Sequence, residues 1–232
     1  MIILALDALD LKLVERYNCR SLMQVEYGQT DITEFKLPRT VVLWASFLTG
    51  KNMESEIPIK TQWDYRLNPE ETFLKLFESY KAIDVPALTY KGENHAEVRR
   101  LLKGYFNDEA TVEEYDAVVW RNHEENKREF LDSLGKFDLL IGYFDLADSI
   151  GHLSFGIPEK MEMVYRELEE LACEVRSSTD EFILIISDHG MEAVGRYGDH
   201  TMNGFYSTSR KLGLNLPKIT DFYDIIVREA EG

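Results

Sequence analysis

Apolar runs of strand length alternate along this chain with stretches that have helical spacing. The clearest strand-like runs are "MIILAL" at residues 1–6, "DLLIGYF" at 138–144 and "FILIIS" at 182–187. Between the last two, a stretch opens on Pro158 and continues with apolar residues at helical spacing, namely Met161, Val164, Leu168, Leu171 and Val175. Near-continuous apolar strands that alternate with helices predict an α/β fold, in which a mostly parallel central sheet is covered on both faces.

Weaker patterns predict the remaining elements. The spacing predicts helices at 10–17 and 158–177, and the segment 51–135 is less regular, with a strand near "AIDVPALTY" and helices at 69–80, 94–105 and 122–134. We expect this segment to extend the same domain or to form a reduced cap over the functional site. Because 232 residues suit one α/β domain, we predict a single domain over 1–232, built as a three-layer α/β/α sandwich.

The charge of the chain bears on its partners. The formal net charge is −16, with a pI near 4.8. A field of that sign repels phosphate polymers, so we expect no binding to nucleic acid. Small anions remain possible substrates, because bound divalent cations would neutralise part of the charge locally.

The apolar runs and the cysteines bear on location. "MIILAL" has no basic segment before it and meets Asp7 at once, so it is too short for a signal peptide or a membrane span. Cys19 and Cys173 lie far apart, outside any metal-type spacing, and we expect two buried thiols. We therefore predict a cytoplasmic protein without membrane association.

Carboxylates and imidazoles follow the predicted strands. Aspartate ends the first strand, an Asp-x-x-x-His pair follows the second with Gly151 between its members to let the backbone turn, and an Asp-His pair follows the third. A further histidine lies in the glycine-containing loop "YGDHTMNGFYS". Parallel sheets bind ligands at this edge. Six oxygen and nitrogen donors without sulfur suit two divalent cations, and these donors are Asp7, Asp148, His152, Asp188, His189 and His200.

Each of these residues has a plainer explanation when taken alone. Asp7 could cap the following helix, the Asp-His pair could form a hydrogen-bonded turn, and His152 or His200 could be an ordinary loop residue. Their joint placement in separate segments at one sheet edge favours a metal site instead. His95 and His123 lie in charged helical stretches, and we expect them to be solvated.

The segment "LPRTVVLWASFLTGK" predicts a short apolar helix. Thr40 stands in its first turn after Pro38, and Gly50 ends it. A hydroxyl there faces free backbone N–H groups and the positive end of the helix dipole, an arrangement that favours phosphate binding. Thr40 could equally be a capping residue.

These motifs, in this order, resemble the alkaline phosphatase superfamily and most of all its nucleotide pyrophosphatase/phosphodiesterase branch. The resemblance runs from Asp7 to His200 through Pro-x-Thr, Thr-Gly nine residues later, Asp-x-x-Gly-His and Ser-Asp-His-Gly-Met. It implies that one metal is held by Asp148, His152 and His200, and the other by Asp7, Asp188, His189 and Thr40. We expect zinc, with manganese or iron as alternatives.

The resemblance implies a hydrolase of phosphodiester or nucleotide pyrophosphate bonds, with Thr40 as nucleophile and a phosphothreonine intermediate. Three departures weaken the inference about substrate. Ala8 replaces the usual glycine, Leu43 replaces an asparagine that helps to hold the phosphate, and "KNMESEIP" lacks the usual His-Gly.

Several alternatives therefore stay open. The same metal core would serve a phosphomonoesterase, a phosphonate hydrolase or a sulfatase-like enzyme, although Thr40 counts against a sulfatase. A catalytically weak, metal-holding binding protein is a further alternative. The expected partner is a small phosphate ester, and Trp63, Tyr65 and Arg66 are candidates either for contacting it or for packing. The pattern does not predict an oligomeric state.

Overall fold

Six strands form one central sheet in the computed structural model, which describes residues 1–231. The eight strands of the chain are β1 (Ile2–Leu6), β2 (Glu26–Asp31), β3 (Tyr80–Ile83), β4 (Leu139–Phe144), β5 (Ile183–Ile186), β6 (Met191–Val194), β7 (Tyr197–His200) and β8 (Asn203–Thr208). The central sheet has the order β2-β8-β5-β1-β4-β3, and β6 and β7 form a separate hairpin. The three strand pairs β5–β1, β1–β4 and β4–β3 are parallel, and β8 runs antiparallel to its neighbours. The predicted mostly parallel sheet is confirmed.

Helices cover both faces of this sheet. They are α1 (Leu11–Arg16), α2 (Arg20–Met23), α3 (Thr40–Thr49), α4 (Gly92–Phe106), α5 (Val112–Leu131), α6 (Leu146–Ser154), α7 (Pro158–Ser178) and α8 (Phe222–Glu231). Short 3-10 turns occupy Ile59–Asp64, Pro69–Glu71, Phe73–Leu76 and Ile219–Asp221.

The strand β1 shows why its sequence is apolar throughout. Ile2, Leu4 and Leu6 pack into one buried cluster, which includes residues of α5 and α7, whereas Ile3 and Ala5 pack into a second cluster with α3 and α8. All five residues are buried because the strand has a hydrophobic layer on each face. Burying each large aliphatic side chain contributes about 1.5–3 kcal/mol.

The segment 51–135 contributes to the central sheet. Its strand β3 pairs in parallel with β4 at the sheet edge. The predicted helix at 69–80 is wrong: Pro69–Glu71 and Phe73–Leu76 form separate 3-10 turns, since the Thr72 hydroxyl accepts from the Leu74 N–H and starts a new turn there.

The two later helices of this segment exist. The helix predicted at 94–105 is α4, whereas α5 begins ten residues before the predicted 122. Its start is a capping box in which Thr111 and Glu114 each satisfy the other's backbone N–H. This Thr-x-x-Glu signal is present in the sequence.

The cysteines differ from the expectation of two buried thiols. Cys19 is buried, but Cys173 lies on the outer face of α7 and is exposed. Within residues 1–231, no helix has the length and apolar character needed to cross a lipid bilayer.

Candidate metal centre

The carboxyl ends of β1 and β5 lie side by side and carry Asp7 and Asp188. Register between the two parallel strands places their last residues together. Ser187 ties the two ends further, because its hydroxyl accepts from the Leu9 N–H at 2.9 Å and donates to the His189 carbonyl at 2.7 Å. Asp7 does not cap α1; that role belongs to Asp10, whose side chain accepts from the Leu13 N–H. Asp7 Oδ2 accepts from the Tyr143 hydroxyl, and its Oδ1 is left for another role.

Asp7, Asp188 and His189 form one group of donor atoms, which lie within 4.8 Å of one another. All three side chains are fully buried. The His189 Nε2 lies 3.3 Å from Asp7 Oδ1 and 3.5 Å from Asp188 Oδ2. The other ring nitrogen, Nδ1, faces the Gly190 carbonyl at 3.1 Å and must donate to it. The lone pair of His189 therefore points toward the two carboxylates.

A second group joins Asp148, His189 and His200, again with donor atoms within 4.8 Å. His200 Nε2 lies 3.0 Å from Asp148 Oδ1, and its Nδ1 faces the Pro38 carbonyl at 3.4 Å. The rings of His189 and His200 stack with centroids 3.9 Å apart. Because His189 belongs to both groups, the two form one continuous cluster.

His152 lies at the outer side of this cluster. Its Nε2 is 3.3 Å from Asp148 Oδ2, and its ring centroid is 5.1 Å from that of His200. Asp148 and His152 share one face of α6 because they are four residues apart in a helix. The structure thus brings all six sequence-predicted side chains together, although His189 rather than His152 completes the close group with Asp148 and His200.

Two local predictions about these segments are wrong. Gly151 does not turn the backbone; it lies within α6, where an added Cβ would meet Met191 Sδ at 2.5 Å, so its role is to admit the neighbouring hairpin. His200 ends the strand β7 rather than lying in a loop. In the β6–β7 hairpin, His200 pairs with Met191, which closely follows β5, and this pairing places the His200 imidazole at the carboxyl edge of the sheet.

Several polar atoms of the cluster are buried without a hydrogen bond. They are Asp7 Oδ1, Asp148 Oδ1, both Asp188 carboxylate oxygens, His189 Nε2 and His200 Nε2. Leaving such atoms unsatisfied is costly, so several together at one place need an explanation. Divalent cations supply one, since carboxylate oxygens and neutral imidazole nitrogens are their usual ligands. The residues present therefore fit a metal centre.

The electrostatics of Asp7, Asp188 and His189 agree with this fit. Burial, and then the charge of Asp148, raise the pKa of Asp7 to about 7. Burial and the charge of Asp7 likewise raise the pKa of Asp188 well above its ordinary value. Burial, together with the nearby His200, lowers the pKa of His189 to about 3, which keeps this imidazole neutral. Crowded carboxylates beside a neutral imidazole form a site that a cation would stabilise.

Thr40 lies beside this cluster at the start of α3. The helix runs from Thr40 to Thr49 and ends at Gly50, as its sequence predicts. Thr40 lines a cavity of about 380 Å³ together with Asp148, His152 and His200. The contact between His200 and the Pro38 carbonyl fixes the segment that leads into the helix against the cluster.

His95 is not solvated as expected. It is 4% exposed, and its Nε2 lies 2.9 Å from Asp84 Oδ2 while its Nδ1 lies 3.5 Å from Asp145 Oδ2. Burial lowers the pKa of His95, but the hydrogen bonds to Asp145 and Asp84 outweigh it and raise the pKa to about 9. The Tyr90 ring stacks on His95 at 3.9 Å. A charged imidazole pinned between two carboxylates therefore supports one wall of the cavity.

The sequence patterns missed most of that wall. Trp63 lines the cavity as proposed, but Tyr65 and Arg66 do not, and Arg66 instead donates to the carbonyls of Trp63 and Tyr65. Tyr90 and Arg99 line the cavity without any motif that marks them. Their separation in sequence from the strand ends leaves no local signal.

His123 is also buried, at 1% exposed, rather than solvated. Its Nε2 lies 3.1 Å from Glu167 Oε1 on α7, and Lys127 pairs with the same carboxylate. His123, Glu124 and Glu167 offer three donor atoms within 4.8 Å of one another. The Glu167 carboxylate, however, already forms an ion pair with the Lys127 ammonium. This group is an ion-pair network between helices.

Comparison with known proteins identifies the fold. No family model and no curated protein matches the chain. Among solved structures, a 2-O GAG sulfatase has 12% sequence identity and a TM-score of 0.60, and the match covers 100% of this chain and 70% of that one. A protein from Bacteroides thetaiotaomicron has 11% identity, a TM-score of 0.59 and the same coverage of 100% and 70%. A protein from Pyrococcus horikoshii has 9% identity and a TM-score of 0.54, with 99% and 96% covered. The chain has an alkaline phosphatase-like fold.

Proposed function

We propose that this protein is a metal-dependent hydrolase of phosphoric esters, with Thr40 as its nucleophile and phosphodiester or nucleotide pyrophosphate bonds as its first substrate class. The observation that carries the proposal is the set of buried donor atoms that crowd together without hydrogen bonds on Asp7, Asp148, Asp188, His189 and His200, in a site beside Thr40. The alkaline phosphatase-like fold supports it, since a 2-O GAG sulfatase shares that fold.

The six side chains of the cluster divide into two proposed sets of metal ligands. Asp7, Asp188 and His189, with the Thr40 hydroxyl, would hold one cation, and Asp148, His152 and His200 would hold the other. When bound, the two divalent cations would supply Lewis-acid stabilisation of negative charge on the nucleophile and on the phosphoryl oxygens. We expect zinc first, because all donors are aspartate or histidine, with manganese or iron as alternatives.

The chain's own residues would then position the substrate. At the start of α3, the backbone N–H of Val41 has no helical partner and points toward the N-terminal end, where it can donate to a phosphoryl oxygen. The Thr40 hydroxyl would lose its proton to solvent and its oxygen would attack phosphorus as the ester P–O bond breaks. The leaving oxygen would depart from the opposite side and take up a proton from solvent to give the alcohol. Water would hydrolyse the phosphothreonine in a second displacement, so the configuration at phosphorus would be retained.

The nucleophile assignment is tested by Thr40→Ala. This substitution removes the attacking oxygen, and we expect hydrolysis of bis(p-nitrophenyl) phosphate to fall on the order of a thousandfold or more. Bound metal, measured by elemental analysis, should remain because the six aspartate and histidine ligands are intact. Thr40→Ser is the matched control; it keeps a hydroxyl and should retain most of the activity. Equal hydrolysis by Thr40→Ala and the wild type would exclude Thr40 as nucleophile.

The substrate class is tested by comparing two esters. We expect the metal-loaded protein to hydrolyse bis(p-nitrophenyl) phosphate faster than p-nitrophenyl phosphate. The reverse order would indicate a phosphomonoesterase of the same fold. Metal retention without hydrolysis of either ester would indicate a metal-holding binding protein.

A further inference from the structure

The cavity beside the metal-type cluster has a second set of lining side chains, outside that cluster. Arg99 on α4 and Trp63 line it there, with the guanidinium carbon 4.4 Å from the centre of the Trp63 ring. Tyr90 stacks on Trp63 at 5.8 Å with an angle of 15° between the ring planes. Because Arg99 Nη1 lies 3.3 Å from the Tyr90 hydroxyl oxygen, the guanidinium and Tyr90 lie on the same side of the indole. That indole face is covered and cannot stack on a ligand.

Arg99 has no acidic partner among the residues that the structure describes. The ion pairs within residues 1–231 do not include it, and Glu97 on the same helix pairs with Arg121 instead. The nearby carboxylates are also engaged: Asp84 and Asp145 both bind His95. In a chain with a net charge of −16, an arginine left without a carboxylate in a cavity wall is a feature that needs an explanation.

Two further polar atoms of the cavity lack a hydrogen bond among the described residues, although Arg39 donates through Nη1 and Nη2 to the carbonyls of Ile57 and Glu54. The side-chain oxygen Oε1 of Gln62 and the Nε of Arg39 are buried and make no hydrogen bond in the described part of the chain. Both residues line the same cavity. Val98 and Leu102 of α4 also line the cavity, with apolar side chains. Arg99 itself is connected to the start of α6 through Tyr90, His95 and Asp145. The lining of this cavity therefore combines metal-type ligands, apolar side chains and a cation.

We propose that Arg99 binds a second anionic group on the substrate, joined to the reacting phosphorus through an apolar organic group. The substrate class is then a small phosphoric ester whose organic group carries a carboxylate or another anion. A guanidinium binds such a group through two parallel N–H donors, and its stacking on Trp63 holds those donors in a fixed plane. His95, locked between its two carboxylates, keeps Tyr90 and hence Trp63 in place. This inference rests on the proposed function, because that function places the reacting phosphorus at the cluster.

The test uses two phosphonates that cannot be hydrolysed at phosphorus by loss of an ester oxygen, benzylphosphonate and 4-carboxybenzylphosphonate. Their dissociation constants would be measured by titration calorimetry on the zinc-loaded full chain. We expect the wild type to bind the carboxylated probe roughly tenfold or more tightly than the parent, as one charge-assisted contact allows. In Arg99→Gln this ratio should fall to about one, with the affinity for benzylphosphonate unchanged within about twofold.

Arg100→Gln is the matched control. Arg100 is the next residue on α4, is exposed and does not line the cavity, so this variant should keep the wild-type ratio. Arg99→Lys keeps the charge without the planar fork, and we expect an intermediate ratio. A ratio near one in the wild type, or an unchanged ratio in Arg99→Gln, would overturn the inference. Equal weakening of both probes by Arg99→Gln would assign Arg99 a structural role in the stack instead.

Failure of the two proposals can be told apart by assaying the same proteins with bis(p-nitrophenyl) phosphate. A selective, Arg99-dependent preference for the carboxylated probe without any hydrolysis would contradict the proposed function alone. Hydrolysis without that preference would contradict the inference alone.

Discussion

At the residue scale, the orientation of two imidazoles is the most informative feature of the cluster. His189 and His200 each direct Nδ1 to a backbone carbonyl and Nε2 to carboxylates. Such a second contact fixes the tautomer that presents a lone pair to a metal. Residue types and strand ends predict the side chains, but the carbonyl partners come from Gly190 and Pro38, and the latter contact depends on the tertiary fold.

The charged sequence neighbours of the other two histidines do not predict that these histidines are buried. His95 and His123 lie among charged helical residues, yet both face inward, toward Asp84 and Asp145 and toward Glu167. A helix has two faces, and a charged stretch can bury the few polar side chains that meet partners on another element. Those partners are remote in sequence and give no local signal.

Ala8 stands where the resembled family usually has glycine, and its backbone conformation shows why glycine suits this position. Its φ is 56°, in the left-handed region, and its side chain is buried. Glycine enters that region without the steric cost that alanine bears. The chain therefore keeps the backbone turn after Asp7 although it lacks the glycine.

Glu167 gives a prediction at this scale. The hydrogen bond from His123, with the Lys127 ammonium, outweighs burial and lowers the pKa of Glu167 to about 2. Since the folded pKa lies below the ordinary value of 4.5, the carboxylate stabilises the fold above about pH 5, and this contribution is lost as the pH falls toward 2. The full shift corresponds to about 3 kcal/mol, which solvent screening reduces to about 1–2 kcal/mol.

We therefore expect Glu167→Gln to lower the free energy of unfolding by about 1–2 kcal/mol at pH 7, and by roughly half of that or less at about pH 3, as measured by urea denaturation. The exposed Glu170 on the same helix is the control, and Glu170→Gln should change little at either pH. A difference of equal size at pH 7 and pH 3 would show that the loss does not come from the charge of Glu167.

At the element scale, the placement of the site follows from parallel pairing. The strands β1 and β5 are adjacent and parallel, so their carboxyl ends carry Asp7 and Asp188 to one edge, as the apolar runs predict. The hairpin of β6 and β7 was missed because it is short and largely exposed, so it has little apolar alternation to mark it. The sequence does not predict the helix α6, because Gly151 within it favours a turn.

Gly204 on β8 gives a prediction at this scale. An added Cβ there would lie 2.2 Å from the Ser187 carbonyl oxygen and 3.1 Å from the Asp188 carbonyl carbon. These are backbone atoms that cannot rotate away, so Gly204→Ala must push β8 from the end of β5. We expect a loss of about 1–3 kcal/mol in the free energy of unfolding and less bound metal per chain.

The control for this variant is Gly92→Ala. Gly92 opens α4 and has no atom within 4 Å of an added Cβ, so stability and metal content should stay near the wild-type values. Both quantities can be measured by chemical denaturation and elemental analysis. If Gly204→Ala retained its metal and its stability, the close approach of β8 to Asp188 would not be needed for the site.

At the scale of the whole molecule, the layered fold was predictable and the cavity was not. Apolar strands such as β1 predict a sheet covered on both faces, and the alkaline phosphatase-like fold agrees. The cavity joins three remote segments, represented by Thr40, Trp63 and Arg99, with the cluster. The sequence of one segment does not predict which of its side chains line the cavity, because the cavity forms only when the segments pack together.

The central claim is that remote segments of the chain build a two-cation centre beside Thr40. The most direct measurement is an anomalous diffraction map from crystals of the zinc-loaded protein, collected above and below the zinc absorption edge. The account predicts one anomalous peak among Asp7, Asp188 and His189, and a second among Asp148, His152 and His200. Peaks elsewhere, for example beside His123 and Glu167, or no peak in this cluster, would contradict it.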